Sequence, residues 1–199
     1  ITEGHALKGV LKADMENIRS TMEKIDYNTF EDVVNNIFAA KRIYIIGLRS
    51  SMALAEFLGF YLNIILQNVK TVGYGISDIF EQMINVGEGD LVIGIGFPRY
   101  ASRTIDALAF AQDRGARVVA VTDSFLSPLA TRADYALIAQ SNMASFVDSL
   151  VAPLSVINAL IIAVGMREKE NISSTFNSLE EIWQEYNVYS YNNRNVGDD

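Results

Sequence analysis

Three short polar clusters interrupt an otherwise apolar sequence: Gly47-Leu48-Arg49-Ser50-Ser51, then Gly96-Phe97-Pro98-Arg99-Tyr100-Ala101-Ser102-Arg103-Thr104, then Thr122-Asp123-Ser124. Each comes directly after a mostly apolar run, at 42–46, 90–95 and 117–121. The first two clusters also open helical patterns. A helix N-terminus presents unpaired N–H groups and the positive end of its dipole. Hydroxyls added there make an anion site, and a guanidinium, which matches two phosphate oxygens at once, turns it toward phosphate. Gly94 and Gly96 allow the backbone to approach a ligand closely. Pro98 stiffens the loop and cannot continue a strand ladder. The residues expected to form a phosphate cradle are therefore Arg49, Ser50, Ser51, Arg99, Ser102, Thr104, Thr122, Asp123 and Ser124.

A plainer explanation competes with this one. Serine and threonine at helix starts are common caps, so any one cluster is explained as well by capping. Asp123 is placed either to orient a ligand hydroxyl or to cap the segment leading to Ser127. Three polar strand ends on one edge of one sheet favour a ligand. Nucleotide motifs are missing: the first cluster lacks the second glycine of the dinucleotide fingerprint, and no Gly-x-x-x-x-Gly-Lys-Ser/Thr run occurs. The chain has one histidine and no cysteine, which excludes thiolate chemistry and argues against a transition-metal site. His5 is far in sequence from the clusters, Glu56 reads as a surface or helix-pair charge, and no carboxylate pair is spaced for acid–base work. No cofactor and no catalytic residue are expected.

The clusters need a scaffold, and the hydrophobic pattern supplies one. Strands are expected at 42–46, 69–72, 90–95, 117–121 and 134–138, with helices at 52–67, 77–86 and 102–114, the last stopped by Gly115. Strands alternating with helices imply a parallel sheet covered on both faces, and the strands are apolar on both sides, as such a sheet requires. Helices are expected before and after this unit. One begins at Thr29 and Asp32, a capping-box pair. Others cover about 144–166 and 174–187, ahead of a polar tail. Residues 150–166 are apolar enough to raise a membrane span, but Pro153, Ser155 and Asn158 interrupt them, so a buried or interface helix is expected. At the other end Leu7, Leu11, Met15, Ile18, Met22 and Ile25 form one helical stripe. That stripe fits a helix packed on its own domain, and it fits equally a linker that pairs two copies.

Half of the 199 residues are hydrophobic, a fifth are charged and three are proline, a globular composition with a sizeable core. The net charge of −8 gives no basic footprint, so direct contact with nucleic acid is not expected. The chain starts with Ile, and the expectation is a fragment of a longer protein, without a signal segment and cytoplasmic.

Three stretches carry a family resemblance: I-Y-I-I-G-L-R-S-S-M-A-L-A, G-D-L-V-I-G-I-G-F-P-R-Y-A-S-R-T, and G-A-R-V-V-A-V-T-D-S-F-L-S-P-L-A-T-R-A-D-Y-A-L-I-A. Together they resemble the sugar isomerase (SIS) domain, in the form found C-terminally in bacterial RpiR/MurR-type transcriptional regulators. The F-P-R-Y loop and the V-T-D-S…S-P-L-A run point to that branch, and the resemblance spans about residues 25–185. It implies an α/β fold: a five-stranded parallel sheet sandwiched between helices, flavodoxin-like and doubly wound, with extra N- and C-terminal helices. The expected division is a linker or dimerisation helix at 1–27, the SIS domain at 28–187 and a tail at 188–199.

The resemblance also implies a function: a phosphosugar-sensing effector domain, a homodimer or homotetramer, reaching DNA only through a helix-turn-helix domain absent from this chain. A sugar phosphate at the strand ends, near a subunit interface, would shift the spacing of the N-terminal helices and so the fit of attached DNA-binding domains. Ser50 and Ser51 match the family's first hydroxyl-bearing turn, Ser102 and Thr104 the second, and Thr122 to Ser124 the third. Gly96 and Ala101 depart from the family by standing where serine is usual, leaving Arg99 or Ser102 to compensate. Two alternatives remain: a phosphosugar aldose–ketose isomerase, with Asp123, His5 or a glutamate as base, and a regulatory SIS subunit with a decayed site.

Overall fold

The computed structural model of the chain describes residues 2–190. Its elements run α1 (Glu3–Lys24), α2 (Tyr27–Ala39), β1 (Ile43–Gly47), α3 (Met52–Leu66), β2 (Val69–Val72), α4 (Ile79–Gln82), β3 (Leu91–Ile95), α5 (Ser102–Asp113), β4 (Arg117–Thr122), β5 (Tyr135–Ile138), α6 (Val151–Arg167) and α7 (Lys169–Glu185). All strand pairs are parallel and the sheet order is β2-β1-β3-β4-β5. This is the five-stranded, helix-covered sheet the alternating pattern implied. Most of the expected tail lies outside the described residues.

Successive side chains of a strand point to opposite faces, and each face here has its own core. Ile43, Ile45, Ile93, Val119 and Val121 pack with α2, α3 and α6. Tyr44, Ile46, Val92, Val118 and Ala120 pack with α4 and α5. Burial on both faces is why β1 and β3 are apolar at every position. Gly115 ends α5 as expected, at φ +83°, and the chain folds back through a bond from Ala116 N–H to the Ala111 carbonyl.

The strand register fixes where the loops leave the sheet. Gly47 lies opposite Ile95, and Ile95 opposite Val121. The three strands therefore end nearly level, and their loops leave from one edge. Strand order reverses between β1 and β3, which opens a crevice outside their carboxyl ends.

Several helix boundaries differ from expectation, each for a local reason. Asp26, not Thr29, caps α2: its carboxylate accepts from the N–H groups of Asn28 and Thr29 and from the Thr29 hydroxyl. The charged acceptor takes the hydroxyl as a donor. Helix α4 is confined to residues 79–82, held by a capping box between Asp78 and Glu81, and residues 83–85 form a turn. Helix α6 starts at Val151 rather than near 144. Pro153 dictates this, because proline fits the first turn of a helix, where its missing N–H has no partner to lose, and disrupts an interior. Among the described residues no single helix is long and apolar enough to cross a membrane; Ala152, Val156, Ile157, Leu160 and Val164 of α6 are buried in the domain instead.

Helix α1 inverts the usual arrangement. Leu7, Leu11, Met15 and Met22 are exposed, while Asn17 and Thr21 are buried. The polar face meets the 139–150 loop, whose backbone needs hydrogen-bond partners that an apolar stripe does not provide.

Candidate functional site

The crevice between β1 and β3 is a cleft of about 260 Å³ lined by Leu48, Arg49, Ser50, Ser51, Gly96, Phe97, Pro98, Arg99, Ala101 and Asp148, among others. Two helix starts meet there. A single 3-10 turn at Arg49–Ser51 leads straight into α3, and α5 opens behind the second cluster. None of these N-termini has a side-chain cap. The Ser50 hydroxyl donates to Asp148 Oδ2 at 2.7 Å instead. Capping therefore does not account for the serines of the first turn, and the N–H groups of two helix starts remain available to an anion.

Both arginines of the cleft sit at left-handed backbone angles, Arg49 at φ 58° and Arg99 at φ 64°. Non-glycine residues avoid this region at a cost of about 1–3 kcal/mol. The two strained positions flank one cleft. Arg99 is 73% exposed and lies 3.6 Å from Asp148, a loose pair that leaves its fork open. Arg103 is committed elsewhere: it bonds Asp78 and stacks 5.0 Å from the Phe80 ring. The two guanidiniums of the second cluster thus have different roles.

The expected residues divide accordingly. Arg49, Ser50, Ser51 and Arg99 line the cleft. Ser102 is the first, exposed residue of α5, one position beyond Ala101. Thr104 is 1% exposed, and its hydroxyl oxygen has no hydrogen-bond partner, an orphan within the first turn of α5. Thr122, Asp123 and Ser124 do not line the cleft. Thr122 is fully buried and bonds Asp123. Ser124 accepts from the Leu126 N–H, a local turn contact. Asp123 accepts from the Tyr100 hydroxyl at 2.7 Å. The third cluster therefore braces the second, tying the loop that carries Arg99 to the end of β4. At Gly96 a Cβ would come within 2.8 Å of Leu129 Cδ2, so the position lacks room for a serine unless Leu129 moves.

Sequence reasoning missed Asp148 and Tyr100. Asp148 falls in the stretch read as the start of a helix. Tyr100 belongs to the quoted motif, but its partner is 23 residues on.

Burial, then the hydrogen bond to Asp123 and that carboxylate's charge, push the Tyr100 phenol up to about 12. A phenol raised above its ordinary value near 10 keeps its contact intact below that pH and loses it as pH rises through about 12. In an ultraviolet titration Tyr100→Phe is expected to remove a phenol ionisation near pH 12. A difference between parent and variant confined to pH near 10 would show that the brace is not formed.

Comparison with known proteins bears on this geometry. A family model described as SIS domain matches residues 36–163. The sugar isomerase domain of an RpiR transcription factor from Sphaerobacter thermophilus is 31% identical, with a TM-score of 0.82 over 86% of this chain and 96% of that one. The Vibrio vulnificus NanR protein, solved in complex with ManNAc-6P, shares the fold at 18% identity, with a TM-score of 0.74 over 86% of this chain and 67% of NanR. An uncharacterized HTH-type transcriptional regulator of Haemophilus influenzae is 27% identical over 161 residues, 79% of this chain. The chain spans only about half, 55%, of that regulator's length.

Proposed function

The chain belongs to the SIS domain family, in the form found in RpiR transcription factors, and on that premise we propose that it is a phosphosugar-binding effector domain of a transcriptional regulator. The observation that carries the reading is the cleft between β1 and β3, where two uncapped helix starts, two arginines and two serines converge at the switch point of the sheet. The phosphate sits between Arg49, Ser50, Ser51 and Arg99, with Ser102 and the orphaned Thr104 on the adjoining turn of α5. Asp123, bonded by Thr122, acts on the ligand through the Tyr100 loop, and Ser124 shapes the turn that follows it. A sugar phosphate is supported by NanR, whose complex holds ManNAc-6P on the same fold.

The regulatory role is supported by the relatives: one is an RpiR transcription factor, and another is an HTH-type regulator about twice as long as the aligned segment. In the whole protein, DNA contact falls to a helix-turn-helix domain outside this chain, in the cytoplasm where operators are. The exposed stripe of α1 suits pairing with a second copy, which supports a homodimer or homotetramer.

A thermal-shift panel tests the reading, with ManNAc-6P, hexose, amino-sugar and pentose phosphates each beside the unphosphorylated sugar. At about 100 times its dissociation constant a ligand stabilises the fold by roughly 2.7 kcal/mol, a rise of roughly 5–10 °C for a chain of this size. A shift with one phosphate ester and none with its free sugar is the expected result. No shift across the panel would favour a decayed site, and conversion of a bound aldose phosphate to its ketose would favour an isomerase.

A further inference from the structure

The cleft contains its own anion. Asp148 accepts from Ser50 Oγ and faces Arg99, the donors that the proposed phosphate requires. A phosphate and a carboxylate within a few ångströms of one another oppose each other's charge. The Asp148–Ser50 contact and a phosphate on Ser50 therefore exclude one another.

Asp148 lies in the loop joining β5 to α6; that loop is pinned to itself by the Ser141 hydroxyl on the Ser149 carbonyl at 2.9 Å, and several of its other polar contacts go to α1. Ser149, the next residue, donates its hydroxyl to Asp14 Oδ1 at 2.6 Å. Asn17 exchanges two bonds with the backbone of Asn142, at 3.0 and 3.2 Å. The Gln140 N–H donates to Thr21 Oγ1 at 2.8 Å. Asp14, Asn17 and Thr21 recur at steps of three and four, so they form one helix face. Much of the seat of α1 on this loop is thus made of hydrogen bonds, while Leu7, Leu11, Met15 and Met22 look outward. Hydrogen bonds are directional and weaken steeply when bent, where apolar contacts would slide. Helix α1 also packs on α6, and Ile25 at its end packs against the core, so a change in the loop acts on the hydrogen-bonded part of its seat.

We propose that Asp148 and Ser149 form a relay in which an anion entering the cleft displaces Asp148 and, through the adjoining Ser149, loosens α1. The relay rests on the phosphosugar reading of the cleft. It gives that reading a route from the ligand to the helix at the N-terminal end of the described chain. The coupling is reciprocal: a partner that holds α1 in place weakens anion binding by the same factor.

Inorganic phosphate is the probe, with calorimetry for affinity and amide hydrogen exchange of residues 12–24 for the helix. Phosphate is expected to speed that exchange about fivefold or more, the low end of ordinary coupling between sites. Asp148→Asn, nearly isosteric, is expected to tighten phosphate binding roughly tenfold and to abolish the exchange response. Ser149→Ala, which leaves the cleft intact, is expected to give fast exchange in α1 without phosphate and no further change with it. If phosphate binds the parent chain and α1 exchange does not respond, the relay fails and the phosphosugar reading stands. Equal phosphate affinity in the parent and Asp148→Asn also overturns the relay alone. If neither chain binds phosphate, the cleft is not an anion site, and the functional reading falls together with the relay.

Discussion

Arg99→Ala lowers the affinity for a sugar phosphate by roughly 10- to 100-fold, the range expected when one charged hydrogen-bonding partner is removed. Arg103→Ala changes it by less than about threefold, within the small effects usual for surface substitutions. Both arginines belong to the same polar cluster, four positions apart, Arg99 on the loop and Arg103 in the first turn of α5. Arg103 is occupied by Asp78 and the Phe80 ring, whereas Arg99 sits at a left-handed φ on the rim of the cleft with its guanidinium largely in solvent. Because Arg99 is exposed, its effect should shrink as salt is raised from low to physiological ionic strength. Calorimetric titration of each variant with the panel's best ligand measures this. An Arg99→Ala chain that binds like the parent would remove the guanidinium from the site. A large loss in Arg103→Ala would mean that ligand binding rebuilds the loop.

Asp90→Ala destabilises the fold by about 3 kcal/mol, the cost of removing a buried carboxylate that accepts three hydrogen bonds, two of them from the half-exposed Arg42. That is a fall of roughly 6–12 °C in melting temperature for a chain of this length. The Asp90 side chain is fully buried at the start of β3. It accepts from Arg42 Nε at 3.1 Å, from Arg42 Nη2 at 2.8 Å and from the Gly87 N–H at 3.0 Å. Arg42 also donates to the Asn85 carbonyl. The pair thus clamps β1, β3 and the turn before β3 at the edge of the sheet opposite the cleft. Asp90→Asn retains an acceptor for Gly87 and should cost less. Denaturant unfolding reads both variants, with an unchanged slope expected. A loss below about 1 kcal/mol in the alanine variant would place this pair with ordinary surface ion pairs, which contribute little.

These two cases mark how far the sequence is legible. The strands of 42–46, 90–95 and 117–121 are readable because burial on both faces leaves a continuous apolar run, and the break in that run is local. The stop at Gly115 is readable because a left-handed residue is needed there and glycine supplies it. Arg99 and Arg103 are two cations of one polar cluster; the sequence separates them only by where the helix at 102–114 is expected to begin, and gives no sign of what Arg103 bonds. Their separation rests on Asp78 and Phe80, which come to Arg103 across the sheet edge. Likewise Thr122, Asp123 and Ser124 are placed at the correct strand end, but the sequence carries no sign that Tyr100 binds Asp123 and turns that cluster into a brace.

The stripe of α1 shows the limit from the other side. Periodicity identifies the helix and its apolar face correctly, and a helix of 22 residues forms there. Periodicity does not state which face meets the domain. That depends on the neighbours, and besides α6 these include a loop whose backbone groups take the polar side chains Asn17 and Thr21 as partners.

The sequence by itself determined the alternation of strand and helix, the parallel sheet, and the three polar strand ends from which a ligand site is built. These come from side-chain periodicity and from residues adjacent in the chain. Only the tertiary structure decided which donors share the cleft, that Asp148 reaches Ser50 across 98 positions, and that Ser149 reaches Asp14 across 135. A hydrogen bond is satisfied by any partner that the packing brings within about 3 Å, and no local pattern records which one that will be.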